Sequence, residues 1–307
     1  MKKTSPGPLI INSLSEYHKI MKLPQPEHPL ISVIGIECAS EFPDLPDDKL
    51  IHNFYSIFLK KNIEGSIGYG RKYYDFSNGV MGFSLPKHVF VLNRDMDYST
   101  ISGWMLLIHP DFIRNYPLAK RIAEYGFFSY DMSEALHLSE KEETMIERIM
   151  EDIRSEYQMS IDAFSQDVIV SHIEVLLNYC NRFYNRQFIT RRPAEQEPVA
   201  RFEEIVSQIF NNDEITHIPG VNEIAAQMNV STHYLSDMLR SLTGMNAQQH
   251  IHNKLIDKAK ELLLTTNLSV NETAYNLGFE YPQYFNRLFK SKTGLTPAAF
   301  RKDFSEN

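Results

Sequence analysis

Arg287, Lys290 and Lys292 stand in "PQYFNRLFKSKTG" (282–294), a stretch without one acid in a 307-residue chain of formal net charge −8. With Gln283 and Asn286 they form a set suited to a polyanion with readable edges. Arginine fits the two acceptors of guanine, asparagine and glutamine fit adenine, and lysine or arginine neutralises phosphate. Fifty residues upstream, Thr232, His233, Ser236, Asp237 and Arg240 occupy the matching polar positions. On one isolated helix such a face is ordinarily only solvated. Two copies favour contact with nucleic acid.

The elements that must hold these side chains repeat as well. "YLSDMLRSLTG" (234–244) lies over "YFNRLFKSKTG" (284–294) without a gap, placing Tyr234 on Tyr284 and Thr243-Gly244 on Thr293-Gly294. Before them "EIAAQMNV" (223–230) matches "ETAYNLGF" (272–279) with one residue added in the connection, the pattern of a duplicated helix-turn-helix. Ser269 and Glu272 have capping-box spacing, with Gly220 and Glu223 a weaker version. Asn229 and Gly278 suit a left-handed backbone after the short helices. Ser231 suits the cap of the next helix, and Pro282 suits the first turn of its counterpart. Leu235, Met238 and Leu239, like Phe285, Leu288 and Phe289, form the apolar faces. Between the copies, 246–266 carries Ile251, Leu255, Ala259 and Leu262 at helical spacing. About twenty helical residues span roughly 30 Å, near the roughly 34 Å repeat of the major groove.

Charge divides the two copies. Residues 201–253 hold two Lys/Arg against six Asp/Glu, whereas 254–302 hold eight against four. Electrostatic affinity therefore concentrates in the second copy. Asp237, in the place equivalent to Arg287, either accepts from cytosine or pairs with Arg240.

The stretch 259–302, with Gly278-Phe279, Tyr284-Phe285, Phe289-Lys290, Gly294 and Thr296-Pro297 at fixed spacing, resembles the paired helix-turn-helix domain of AraC/XylS-type transcription regulators. Thr273 and Lys254 are departures, where the family usually has Ile and Arg. The resemblance covers about a third of the chain. It implies double-stranded DNA as a partner and, for an activator, RNA polymerase.

The remaining length predicts a second domain. Two cysteines, Cys38 and Cys180, supply neither a disulfide framework nor a zinc set, and the absence of a long apolar run argues against a membrane span. Both point to a cytoplasmic protein. Between 29 and 108, "LISVIGIEC", "NFYSIFLKK", "SIGYGRKYYDF", "GVMGFSL", "HVFVL" and "GWMLLIH" read as short strands of an all-β barrel or sandwich. "DFSNGVMGFSLPKHVFVL" and "GWMLLIHPDFI" resemble the cupin-like domain of many such regulators, which implies effector binding or dimerisation. Aromatic pockets with polar anchors make Tyr55, Tyr69, Arg71, Phe83 and Trp104 candidate effector contacts. His52, His88 and His109 are isolated and His250 and His252 lie on a helix, so no metal, cofactor or catalytic residue is predicted.

Two helices follow, one with Ile146, Ile149, Ile153 and Tyr157 on its apolar side, the other with Phe164, Val168, Val175, Tyr179 and Phe183. They cover the barrel or join two copies as a homodimer. "TRRPAEQEP" reads as a linker. The expected class is α+β: 1–189 a cupin-like β-barrel with a helical hairpin, 190–199 a linker, and 200–307 an all-α double helix-turn-helix domain.

Overall fold

The computed structural model describes residues 8–36, 49–61, 68–69, 72–73, 79–91, 101–159, 162–190, 197–211, 215 and 217–305. The chain divides into two compact units, Met1–Gln187 and Phe188–Asn307.

In the first unit β1 (Leu9–Ile11) leads into α1 (Leu14–Ile20), which Ser13 caps by accepting from the Glu16 backbone N–H. Then come β2 (Ile31–Gly35), β3 (Lys49–His52), β4 (Tyr55–Lys61), the short pair β5 (Gly68–Tyr69) and β6 (Lys72–Tyr73), β7 (Val80–Ser84), β8 (Val89–Val91) and β9 (Ser102–Ile108). Short helices α2 (Pro110–Ile113) and α3 (Leu118–Arg121) and strand β10 (Leu136–His137) precede two long helices, α4 (Glu140–Gln158) and α5 (Ser165–Thr190). The strands make a five-stranded sheet ordered β10-β7-β4-β9-β2, a three-stranded sheet ordered β1-β3-β8, and the β5-β6 pair. Among the described residues no sheet closes on itself, so the architecture is mixed α+β with open sheets.

Register assigns the two faces of the large sheet. Ile57 pairs with Phe83, and Leu59 with Trp104, so these side chains and Tyr55 share one face. Helices α4 and α5 cover it: Lys61 pairs with Glu143 and Glu147, Arg154 lies over Trp104, and Cys180 contacts Met81. The opposite face carries Ser56, Phe58 and Lys60 from β4. Phe58 covers Gly82, where an added Cβ would fall 2.1 Å from its ring. Ile34 and Leu107 on this side share a core with Ile11, Leu14, Tyr17, Met21, Leu50 and Phe54 of the small sheet and α1.

Helix α4 buries Ile146, Ile149, Ile153 and Tyr157, the stripe read from its spacing. On α5 the stripe is displaced. Phe164, Val168 and Val175 are exposed, while Ile169, Ile173, Leu176, Leu177, Cys180 and Phe183 are buried. This helix is apolar on two sides, and i, i+4 spacing alone cannot rank them; the side under the sheet is the one rich in Ile and Leu.

The second unit contains α6 (Glu197–Phe210), α7 (Val221–Met228), α8 (Thr232–Thr243), α9 (Ala247–Thr265), α10 (Val270–Asn276), α11 (Pro282–Thr293) and α12 (Pro297–Ser305). Its core is continuous along α9, where Ile251, Leu255, Ile256, Ala259 and Leu263 are buried against α6, α8, α10, α11 and α12. Helix α6 occupies part of the segment whose prolines read as linker; 191–196 lies outside the described residues.

Candidate nucleic-acid interface

Each copy is a short helix, a sharp turn and a longer helix, and the turn is built by the residue types that mark it in the sequence. Asn229 ends α7 with φ 56°, and Gly278 follows α10 with φ 81°. A Cβ at Gly278 would also lie 2.8 Å from the backbone of His217, so the position requires glycine both for its dihedral and for the close approach. Glu272 and Ser269 form the reciprocal capping box of α10, and the Ser231 hydroxyl accepts from the Tyr234 backbone N–H to start α8. Pro282 occupies the first turn of α11.

The repeated Thr-Gly pair closes both longer helices in one way. Thr243 Oγ1 donates to the Leu239 carbonyl at 2.7 Å and accepts from the Met245 backbone N–H at 3.2 Å. Thr293 repeats this with Phe289 at 2.8 Å and Leu295 at 3.2 Å. Gly244 and Gly294 then turn left-handed at φ 78° and 79°. Replacing Thr293 with Val removes the hydroxyl from a carbonyl and an N–H, and the expected loss is about 1 kcal/mol of stability. Chemical denaturation of wild type and variant measures it.

On α8, Leu235, Met238 and Leu239 are buried, leaving Thr232, His233 and Arg240 exposed with Ser236 and Asp237 partly so. Asp237 Oδ1 accepts from Arg240 Nη1 at 2.9 Å, so the acid that would face a phosphate is engaged by its neighbour one turn on. On α11, Phe285 and Phe289 are fully buried, and Gln283, Arg287, Lys290 and Lys292 are exposed with Asn286 partly so. Lys292 Nζ donates to Asn253 Oδ1 of α9 at 3.0 Å, which ties that cation to the linking helix.

An aromatic group that the sequence reading does not count among the contact residues completes this face. Tyr234 and Tyr284 align in the repeat, yet Tyr234 is 2% exposed and Tyr284 is 49% exposed. The Arg287 guanidinium lies over the Tyr284 ring at 5.5 Å, and Tyr281 meets that ring edge-on at 5.9 Å. The sequence signal is the proline-led first turn, which places Tyr281 immediately before the helix, beside Tyr284.

Of the residues read as effector contacts, Phe83 packs against Phe127 and Phe128, Tyr55 against Phe128, and Trp104 lies beneath Arg154. All three are on the helix-covered face of the large sheet. Tyr69 lies in β5, and Arg71 falls outside the described residues. On the opposite face an apolar cavity of about 130 Å³ opens among residues of both sheets and α1, including Tyr17, Ile34, Leu50, His52, Phe58 and Met105.

Residues 224–303 match the family described as helix-turn-helix domain. The chain is similar to the uncharacterized HTH-type transcriptional regulator YfiF of Bacillus subtilis, 26% identical over 151 residues, 48% of this chain and 46% of that protein. It is also similar to the arabinose operon regulatory protein of Escherichia coli, 31% identical over 86 residues, 28% of this chain and 30% of that protein. Among solved structures, the DNA-binding domain of AdpA, the global transcriptional factor, in complex with a target DNA is 25% identical, with 35% of this chain and 91% of that chain covered and a TM-score of 0.31. The chain spans less than half the length of either curated relative.

Proposed function

We propose that this chain, whose C-terminal unit is an AraC-type helix-turn-helix domain, is a sequence-specific DNA-binding transcription regulator. Helices α8 and α11 enter successive major-groove faces of double-stranded DNA, and the 19 residues of α9, roughly 28 Å of helix, span the distance between them. The observation that carries this reading is α11: twelve residues with Gln283, Arg287 and Lys290 exposed, two phenylalanines seated in the core, and no acid.

The two helices divide the work unequally. Helix α11 supplies the cations and the base-reading side chains. Helix α8, with Asp237 and Arg240 paired, supplies Thr232, His233 and Ser236 and little net charge. Affinity for duplex DNA therefore falls with salt through a small number of phosphate contacts. With about three to five of them, log K against log [salt] has a slope of about −3 to −4.5. Fluorescence anisotropy of a labelled duplex across a salt series measures the slope, and a flat plot would remove α11 from the DNA surface.

In this reading the N-terminal unit joins two copies or senses a small effector that favours one arrangement of the readers. Exposed Val168 and Val175 on α5, with Phe164 just before it, support pairing of copies. The cavity between the sheets favours a sensor over a scaffold with a filled interior.

A further inference from the structure

The two adjacent lysines of β4 meet opposite environments. Lys61 points to the helix-covered face and pairs with both Glu143 and Glu147. Lys60 points the other way, is only partly exposed, and lines the apolar cavity between the sheets. Among the described residues it has no acidic partner, and its Nζ lies 5.0 Å from the centroid of the Phe58 ring. Burial pulls the pKa of the ammonium down from its ordinary value.

The other polar groups around the cavity have their partners. His52 is buried and stacked between Phe54 and Phe90, and its Nδ1 lies 3.0 Å from the Phe54 carbonyl oxygen. Burial pushes its pKa down to about 4, so it is neutral near pH 7 and adds no second cation. Ser56 and Ser84 bond to each other at 2.6 Å. Tyr17 donates to Met105 Sδ at 3.4 Å, and burial raises its pKa to about 12, which keeps its hydroxyl uncharged. The rest of the lining is aliphatic and aromatic. One cation without an acidic partner among the described residues, in an otherwise apolar cavity, selects an apolar molecule with one negative end.

Size narrows the class. At about 130 Å³ the space approaches the roughly 150 Å³ of an engineered apolar cavity that admits benzene. We propose that the cavity binds a small monocarboxylate with a ring or a short branched chain, its carboxylate on Lys60 and its apolar body between Phe58, Leu50, Ile34 and Met105. The inference deepens the reading of the N-terminal unit as a sensor. Its test uses no DNA, so its failure and a failure of the DNA-binding reading are separate results.

The experiment is calorimetric titration of the full chain with hexanoate, 4-methylpentanoate, phenylacetate and 3-phenylpropanoate, each beside its uncharged amide. At least one acid binds wild type at least tenfold more tightly than its amide, a preference read without any variant. Lys60→Met conserves length and removes an ammonium that has no acidic partner among the described residues, so without ligand it melts no lower than wild type; it loses tenfold or more of the acid affinity and keeps that of the amide. No acid binding to wild type, amides binding as well as acids, or acids binding Lys60→Met as tightly as wild type would each overturn the proposal. If Lys60→Met melts well below wild type, Lys60 supports the fold, and that result overturns it too.

Discussion

Phe289→Ala lowers the stability of the C-terminal unit by about 3–5 kcal/mol. The side chain is fully buried and meets Phe285 and Phe300 edge-on at 5.7 and 5.4 Å, so its ring joins α11 to α12 beside α9. Truncation opens a cavity where all three helices meet. Because domains are stable by only about 5–15 kcal/mol, the loss is a large fraction of the total. Lys290→Ala, on the exposed side of the same helix, changes stability by no more than about 0.5 kcal/mol. Denaturant unfolding of the two variants separates the faces. A loss below about 1 kcal/mol for Phe289→Ala would mean that this ring does not seat the helix.

Arg287→Ala weakens binding to the preferred duplex by about 1–3 kcal/mol and relaxes preference at one base pair. The guanidinium is exposed in the middle of α11, where the bidentate geometry that suits guanine is available, and the Tyr284 ring beneath it limits its rotamers. Tyr284→Phe keeps the ring and leaves the base preference intact. Tyr284→Ala weakens binding by about 0.5–1 kcal/mol and relaxes preference at the same base pair, the scale of an exposed cation–π contact. Competition binding against duplexes substituted one base pair at a time measures these effects. A uniform loss for Arg287→Ala across all sequences would make it a phosphate contact and leave base reading to Gln283 and Asn286.

The C-terminal unit is legible in sequence because its signals are local. Asn229, Gly244, Gly278 and Gly294 are placed where positive φ is required, and Ser231, Ser269 and Pro282 begin helices at the residues their chemistry favours. Equivalence within the repeat does not carry burial, as the contrast between Tyr234 and Tyr284 shows.

The N-terminal unit is less legible because its faces are set by long-range pairing. On β4 the odd spacing of Tyr55 and Lys60, five residues apart, puts one under the helices and the other beside the cavity, and strand alternation does not say which face is covered. Strands β1, β3 and β10 have two to four residues each, too few to show a period. On α5 an exposed apolar side imitates a core side.

The most direct test of the account is selection of the full chain against randomised duplexes at two salt concentrations, with sequencing of the bound fraction. The predicted result is a motif of two blocks about ten base pairs apart, one for each reading helix, with the block read by α11 the stronger. Arg287→Ala then loses preference within that stronger block. No enriched sequence at either salt concentration would contradict the assignment of α8 and α11 as a paired reader of DNA.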